Sequence, residues 1–152
     1  MPHLHEQIDF TVEVFVVFNG KVLLRKHDKY GIWLSVGGPI ELNEDPNQAA
    51  LREVREEVGL TVELFDTREY QGDAKIKELI PPISMNRHSI SGTHQHISLI
   101  YFATTNTDEI VPEKISDAWK WCTKEDIDAM SDLQSNVAFY GKRAIDLVEN
   151  KK

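Results

Sequence analysis

Residues 38–60, GPIELNEDPNQAALREVREEVGL, carry the clearest local signals in the chain. Asp45 precedes Pro46, and Gln48 stands three residues after Asp45: a capping box with proline at the first helical position. Gly59 supplies the stop, because glycine takes left-handed angles past a helix end without a Cβ penalty. The spacing predicts a helix whose apolar stripe is Ala50, Leu51, Val54 and Val58. A neighbouring arc of similar width carries Glu53, Glu56 and Glu57, with Ala49 small enough at its middle to leave space beside the carboxylates. Arg52 and Arg55 lie beyond, away from the stripe.

Three carboxylates on one patch repel one another. At roughly 6 Å and an effective dielectric of about 20, each pair costs on the order of 3 kcal/mol. Water and salt reduce that cost several-fold on an exposed face. A helix built only for solubility would more naturally alternate the signs of its charges. The cluster has the form of a hard-cation site, with oxygen donors, several negative charges and one rigid element to hold them. Mg2+ or Mn2+ suits it better than zinc, since no His or Cys joins the helix patch. The competing reading is a solvated acidic helix face, the usual fate of an isolated E-x-x-E-E run.

Working outward, Phe10 to Phe18 reads as a buried strand, Asn19-Gly20 as a hairpin turn, and Lys21 to Arg25 as the return strand. Residues 27–32 form a polar loop. After the helix, Thr61 to Tyr70 looks like a strand, and 71–93 an irregular stretch with a short strand around Ile83–Met85. His96 to Phe102 alternates cleanly as a strand, with Ile97, Leu99 and Tyr101 on one side. Ala118 to Cys122 is a short strand, and Thr123 caps a brief helix through Asp126. Val137, Tyr140, Ala144 and Leu147/Val148 give the spacing of a C-terminal helix. Strands and helices mixed in this order, with hairpins, argue for α+β or a mixed α/β sandwich.

The whole chain, 152 residues without internal repeats or linkers, reads as a single domain over 1–152. Its net charge of −8 repels phosphate backbones, which argues against sequence-specific nucleic-acid binding, though a small phosphorylated substrate remains open if a metal or basic group neutralises it. The lone cysteine, Cys122, cannot form an internal disulfide or a cysteine zinc site. No apolar run reaches the roughly 18 residues that span a bilayer, and Met1 to Glu6 lack the character of a signal peptide. The expectation is a reduced cytoplasmic protein with no membrane partner.

The flanking residues decide between the two readings of the acidic helix. The segment resembles the signature of the Nudix hydrolase family (MutT-like), G-x5-E-x7-R-E-U-x-E-E-x-G-U with U a bulky aliphatic residue. Gly38, Glu44, Arg52, Glu53, Val54, Glu56, Glu57, Gly59 and Leu60 fill its fixed positions in order. A chance match is on the order of 10⁻⁹ per start site at background frequencies. The resemblance implies an α/β/α sandwich with a mixed β-sheet between helices. It also implies hydrolysis of the pyrophosphate bond of a nucleoside diphosphate linked to another moiety. Glu53, Glu56 and Glu57, with the carbonyl of Gly37, would be the Mg2+ (or Mn2+) ligands. Arg52 would orient the acidic residues, and Glu44 would fix the loop or help the metal shell. Glu53 is the first choice of general base, followed by Glu56 or Glu57. Gly38, Glu44, Trp33 and Arg25 would border the substrate, and a homodimer is compatible with the family.

The approach to the signature reads Ser35-Val36-Gly37-Gly38, where many relatives have Leu-Pro-Gly-Gly; the two glycines keep the turn. Some relatives place a further acidic residue downstream, for which Asp108, Glu109, Asp117 and Glu125 all stand open. The stretch Ala74-Lys75-Ile76-Lys77, with prolines only at 81 and 82, mildly disfavours ADP-ribose and chooses no other substrate. His94 and His96 share one strand face with His88 nearby, but no third fixed ligand is evident, so an exposed strand face is preferred to a phosphate or metal contact. Tyr30, Trp33, Trp119, Trp121, Phe139 and Tyr140 are read as core before base-stacking residues, with Trp33 the best exception. Lys21, Arg25, Lys26 and Lys29 are available to meet phosphate, though scattered surface bases are usually just solvated. Two rival functions are a catalytically silent nucleotide-binding or regulatory module with the same fold, and isopentenyl diphosphate isomerase chemistry through Cys122.

Overall fold

The computed structural model describes residues 7–28 and 31–150. Lys29, Tyr30 and the segment 1–6 lie outside the described residues. The chain begins with β1 (Ile8–Phe18) and β2 (Lys21–Lys26), joined by Asn19-Gly20 with φ of 47° and 73°. Two positive φ angles are what a tight hairpin turn requires. The two strands stay in register only at Val17↔Val22 and Phe18↔Lys21. Beyond that point β3 (Trp33–Leu34) pairs antiparallel with the end of β2, and β4 (Val36–Pro39) takes the freed edge of β1 from Thr11↔Pro39 to Val14↔Val36.

After α1 (Pro46–Val58) come β5 (Glu63–Leu64), β6 (Ser84–Ser91) and β7 (His94–Thr104). β7 runs parallel to β1 from Ile8↔Gln95 to Val17↔Thr104, and carries β5 and β6 antiparallel on its other edge. β8 (Ala118–Cys122) lies antiparallel to β2, followed by α2 (Lys124–Ala129) and α3 (Ser135–Asn150). The sheet is therefore mixed and lies between helices.

Strand alternation feeds a separate core on each face. Val12, Val14, Val16, Leu99, Tyr101 and Ala103 pack with Ala49, Ala50, Val54 and Val58 of α1. Phe15, Val17, Ile100 and Phe102 pack with Ile127, Val137, Ala144, Ile145 and Val148 of α2 and α3. The reading of β7 holds: Leu99 and Tyr101 enter the first core, Ile100 and Phe102 the second.

Three expectations are corrected. Leu51 is 38% exposed whereas Ala49 is fully buried, so the buried face of α1 is turned toward the glutamates. The strand expected over Thr61–Tyr70 is only Glu63–Leu64. There Asp66 accepts from the backbone and guanidinium of Arg68, which also donates to the Glu78 carbonyl, so these groups bind locally and not along a ladder. The irregular stretch contains a full strand, β6, closed into a hairpin with β7 at Gly92 (φ 47°). β6 is mostly exposed and so lacks the apolar alternation that reveals a half-buried strand. Among the described residues, no helix is long and apolar enough to cross a membrane.

Candidate active site

The ends of α1 form as the sequence predicts. The Asp45 carboxylate accepts from the Gln48 N–H and the Gln48 side chain accepts from the Asp45 N–H, while Gly59 has φ 70°. The helix thereby presents Arg52, Glu53, Glu56 and Glu57 to β4 and the loop that follows it.

Arg52 organises this cluster. It grips Glu44 with two donors, Nε at 2.9 Å and Nη2 at 2.7 Å. Nη2 also donates to the Pro39 carbonyl at 2.9 Å, tying the helix to the end of β4. Nη1 donates to Glu53 at 2.9 Å and to Glu56 at 3.1 Å. The hydrogen bonds from Arg52 hold the Glu44 carboxyl below its usual range. For Glu53 burial outweighs Arg52, and its carboxyl is pushed up.

Glu57 occupies a second, deeper position. Arg25 of β2 donates to it from 3.1 Å and lies 3.5 Å from Asp117, whose side chain is almost wholly buried. Burial nevertheless dominates and raises the Glu57 carboxyl to about 8; Arg25 opposes the shift, Glu53 and Glu113 add to it, and a backbone hydrogen bond from Gly37 opposes it. Arg25 sits over the Trp119 ring, 5.7 Å from its centroid. Arg25 Nε and Trp119 Nε1 are buried donors without a hydrogen-bond partner among the described residues.

The two glycines sit at close approaches. A Cβ on Gly37 would collide with the Val12 carbonyl, and one on Gly38 with the Glu53 carboxylate. β4 can therefore lie against β1 only with bare backbone at Gly37, whereas at Gly38 the flexible end of Glu53 would have to move aside.

The structure thus brings together Arg25, Gly37, Gly38, Glu44, Arg52, Glu53, Glu56 and Glu57, with Glu56 the most exposed of the helix carboxylates. It does not bring Trp33 to them: Trp33 pairs with Lys26 and packs into the core on the α3 side of the sheet. Trp119 is the aromatic beside Arg25 instead. Of the downstream acids, Asp117 reaches the cluster through Arg25, and Glu113, which the sequence reading overlooked, adds to the field on Glu57. Neither has a local sequence signal: the β2–β8 pairing carries Asp117 to Arg25, and the Glu113 N–H donates to the Glu57 carbonyl at 2.9 Å. Cys122 is buried in the opposite core. Lys26 faces Asp132 at 4.0 Å, so it too lies away from the carboxylates.

The donor set suits a hard divalent cation. Six carboxylates (Glu41, Glu44, Glu53, Glu56, Glu57 and Asp117) gather around two guanidinium groups, and the two most buried helix carboxyls are both raised. Added positive charge beside Glu53 and Glu57 would restore their ionised forms, and oxygen-only donors favour Mg2+ or Mn2+.

A model of the NUDIX domain matches residues 9–141. A Nudix-family hydrolase from Clostridium perfringens has a solved structure 38% identical to this chain, with a TM-score of 0.85 over 92% of this chain and 97% of that one. The CTP pyrophosphohydrolase of Escherichia coli is 28% identical over 98 residues, 60% of this chain and 73% of that protein. A 78-residue stretch, 47% of this chain, is 41% identical to part of an octanoyltransferase from Myxococcus xanthus, but spans only 22% of that protein. Signature, architecture and relatives agree: the chain belongs to the Nudix hydrolase family.

Proposed function

We propose that residues 1–152 act as a single Mg2+- or Mn2+-dependent pyrophosphohydrolase domain. It would split the pyrophosphate bond of a nucleoside diphosphate joined to another moiety, by attack of water on phosphorus. The observation that carries this reading is Arg52 holding Glu44, Glu53 and Glu56 in one cluster beside the buried Glu57.

Glu53, Glu56, Glu57 and the Gly37 carbonyl would hold the ion. When bound, it would neutralise the pyrophosphate oxygens and lower the cost of bringing a nucleophile to a polyanion. Glu53 is assigned as general base. Its Oε1 is fixed by Arg52, which would orient the carboxylate to take the proton of the attacking water. The new bond joins the water oxygen to phosphorus; the bridging P–O bond breaks and its electron pair leaves with the departing phosphate. Arg25 is the basic group available to a substrate phosphate, with Trp119 in place of Trp33 as the neighbouring aromatic.

The test is purified protein with Mg2+ on CTP and other nucleoside triphosphates, nucleotide sugars, ADP-ribose and dinucleoside polyphosphates, with products separated by chromatography. The expected outcome is turnover of one class, lost in Glu53→Gln. Ligand-induced thermal stabilisation with no product from any substrate would overturn the proposal in favour of a silent nucleotide-binding module.

A further inference from the structure

A second group of donors lies across the sheet from α1. We propose that Asp9, His94 and His96 form a separate site for a borderline transition ion of the zinc class.

Strand register assembles the group. Asp9 and His96 are direct neighbours in the parallel β1–β7 pairing, and His94 lies two residues earlier on the same face of β7. Further along that face, Thr11 and Ser98 share a buried hydrogen bond of 2.8 Å. The donor atoms of Asp9, His94 and His96 all lie within 4.8 Å of one another, with His94 Nε2 and Asp9 Oδ2 3.0 Å apart. In a tetrahedral centre with bonds of about 2.0–2.2 Å, ligand atoms stand about 3.3–3.6 Å apart, which small side-chain rotations can reach from here.

The surroundings favour an ordered site. The side chains of His94 and Asp9 are 24% and 15% exposed, sheltered yet open to an entering ion. The His96 ring is held edge-on by His94 at 5.3 Å and by His88 at 5.7 Å between centroids. His88 pairs with His96 across β6 and β7, and its Nδ1 is 3.0 Å from Asn86 Oδ1.

Two imidazoles and one carboxylate make a donor set unlike that of α1. Imidazole suits Zn2+, Ni2+, Cu2+ and Fe2+, whereas carboxylate oxygen suits Mg2+ and Mn2+. The two faces of the sheet should therefore sort ions by softness. An occupied site would clip the start of β1 to the start of β7, stabilising the strand pair on which both cores are built.

The test is Zn2+ titration of the full chain against a chromophoric chelator, in excess Mg2+, with thermal melting in parallel. Wild type and Glu53→Gln/Glu57→Gln should bind one Zn2+ alike, and Zn2+ should raise the wild-type Tm. His94→Ala/His96→Ala should weaken that binding by more than the roughly 10–100-fold typical for loss of an outer partner, and abolish the Tm shift. If circular dichroism shows that this double variant misfolds, Asp9→Asn and His96→Gln, which keep the side-chain size, provide the same comparison. No Zn2+ uptake by wild type, or uptake undiminished in Asp9→Asn and His96→Gln, would overturn the proposal and leave an ordinary Asp9–His94 polar contact.

Discussion

The two faces of the sheet gather polar side chains by different means. On the α1 side the donors come mainly from one capped helix, and Arg52 ties them to the preceding loop. On the other side, Asp9 meets His94 and His96 only because β1 and β7 run parallel in one register. The first arrangement is local and all-oxygen; the second is assembled from distant segments and rich in nitrogen. Chemistry written on one helix survives small shifts in sheet pairing, whereas chemistry written across strands depends on every register pair between them.

The largest effect that sharpens this contrast is expected for Glu53→Gln. It should lower turnover by about 10²–10⁴-fold, the usual value of a general base, with thermal stability near wild type. A steady-state assay beside a melting curve checks both. Equal loss of activity in Asp9→Asn would break the assignment of chemistry to the α1 side.

Next in size is the pH dependence of Mg2+ binding. With Glu57 at about 8, the ion must displace its proton, so binding should tighten up to about tenfold per pH unit as pH rises toward 8. The sign for stability is opposite. Between 4.5 and about 8 the folded protein holds a proton that the unfolded chain has lost, so the metal-free fold weakens as pH rises through that window. Calorimetric titration at pH 6, 7 and 8, with melts in chelator, measures both slopes.

The glycines should separate structure from function. Gly37→Ala drives a methyl into the Val12 backbone and should cost about 1–3 kcal/mol of stability. Gly38→Ala meets the movable end of Glu53, so it should disturb stability less and activity more. Denaturant melts and turnover assays of the pair would show the crossed pattern.

The smallest effect concerns the orientation of α1. Leu51→Gln, on the exposed side, should change stability by no more than about 0.5 kcal/mol. Ala49→Leu, in the core, should destabilise by about 1–3 kcal/mol. The reverse order, with Leu51→Gln the costlier of the two, would mean that the buried face is the one expected from periodicity alone.

That rotation shows where sequence reasoning stops. The ends of α1 were legible because Asp45, Pro46, Gln48 and Gly59 act within one turn of backbone. Its buried face was legible at Ala50, Val54 and Val58 but not at its edges, where Leu51 is exposed and Ala49 buried. β7 was legible from alternation, but β6 only at its start around Met85, since Arg87, His88 and Ser89 are exposed and show no apolar alternation. Asp117 and Trp119 depended on where β8 meets β2, and Glu113 on backbone hydrogen bonds from 111–113 to the end of α1. Asp9 supplies the third donor that the His94–His96 pair lacked in sequence, and only a parallel strand pair could bring it there.

The same strand pair bears on how quickly the molecule forms. Ile8 must find Gln95 across a long intervening loop before the central ladder can grow. Closing such a loop costs entropy ahead of any reward, and contacts so far apart along the chain slow the search for the native topology. α1 can flicker into shape early on its own caps. Completion of the sheet should then set the pace, with refolding slower than a helical bundle of this size would show.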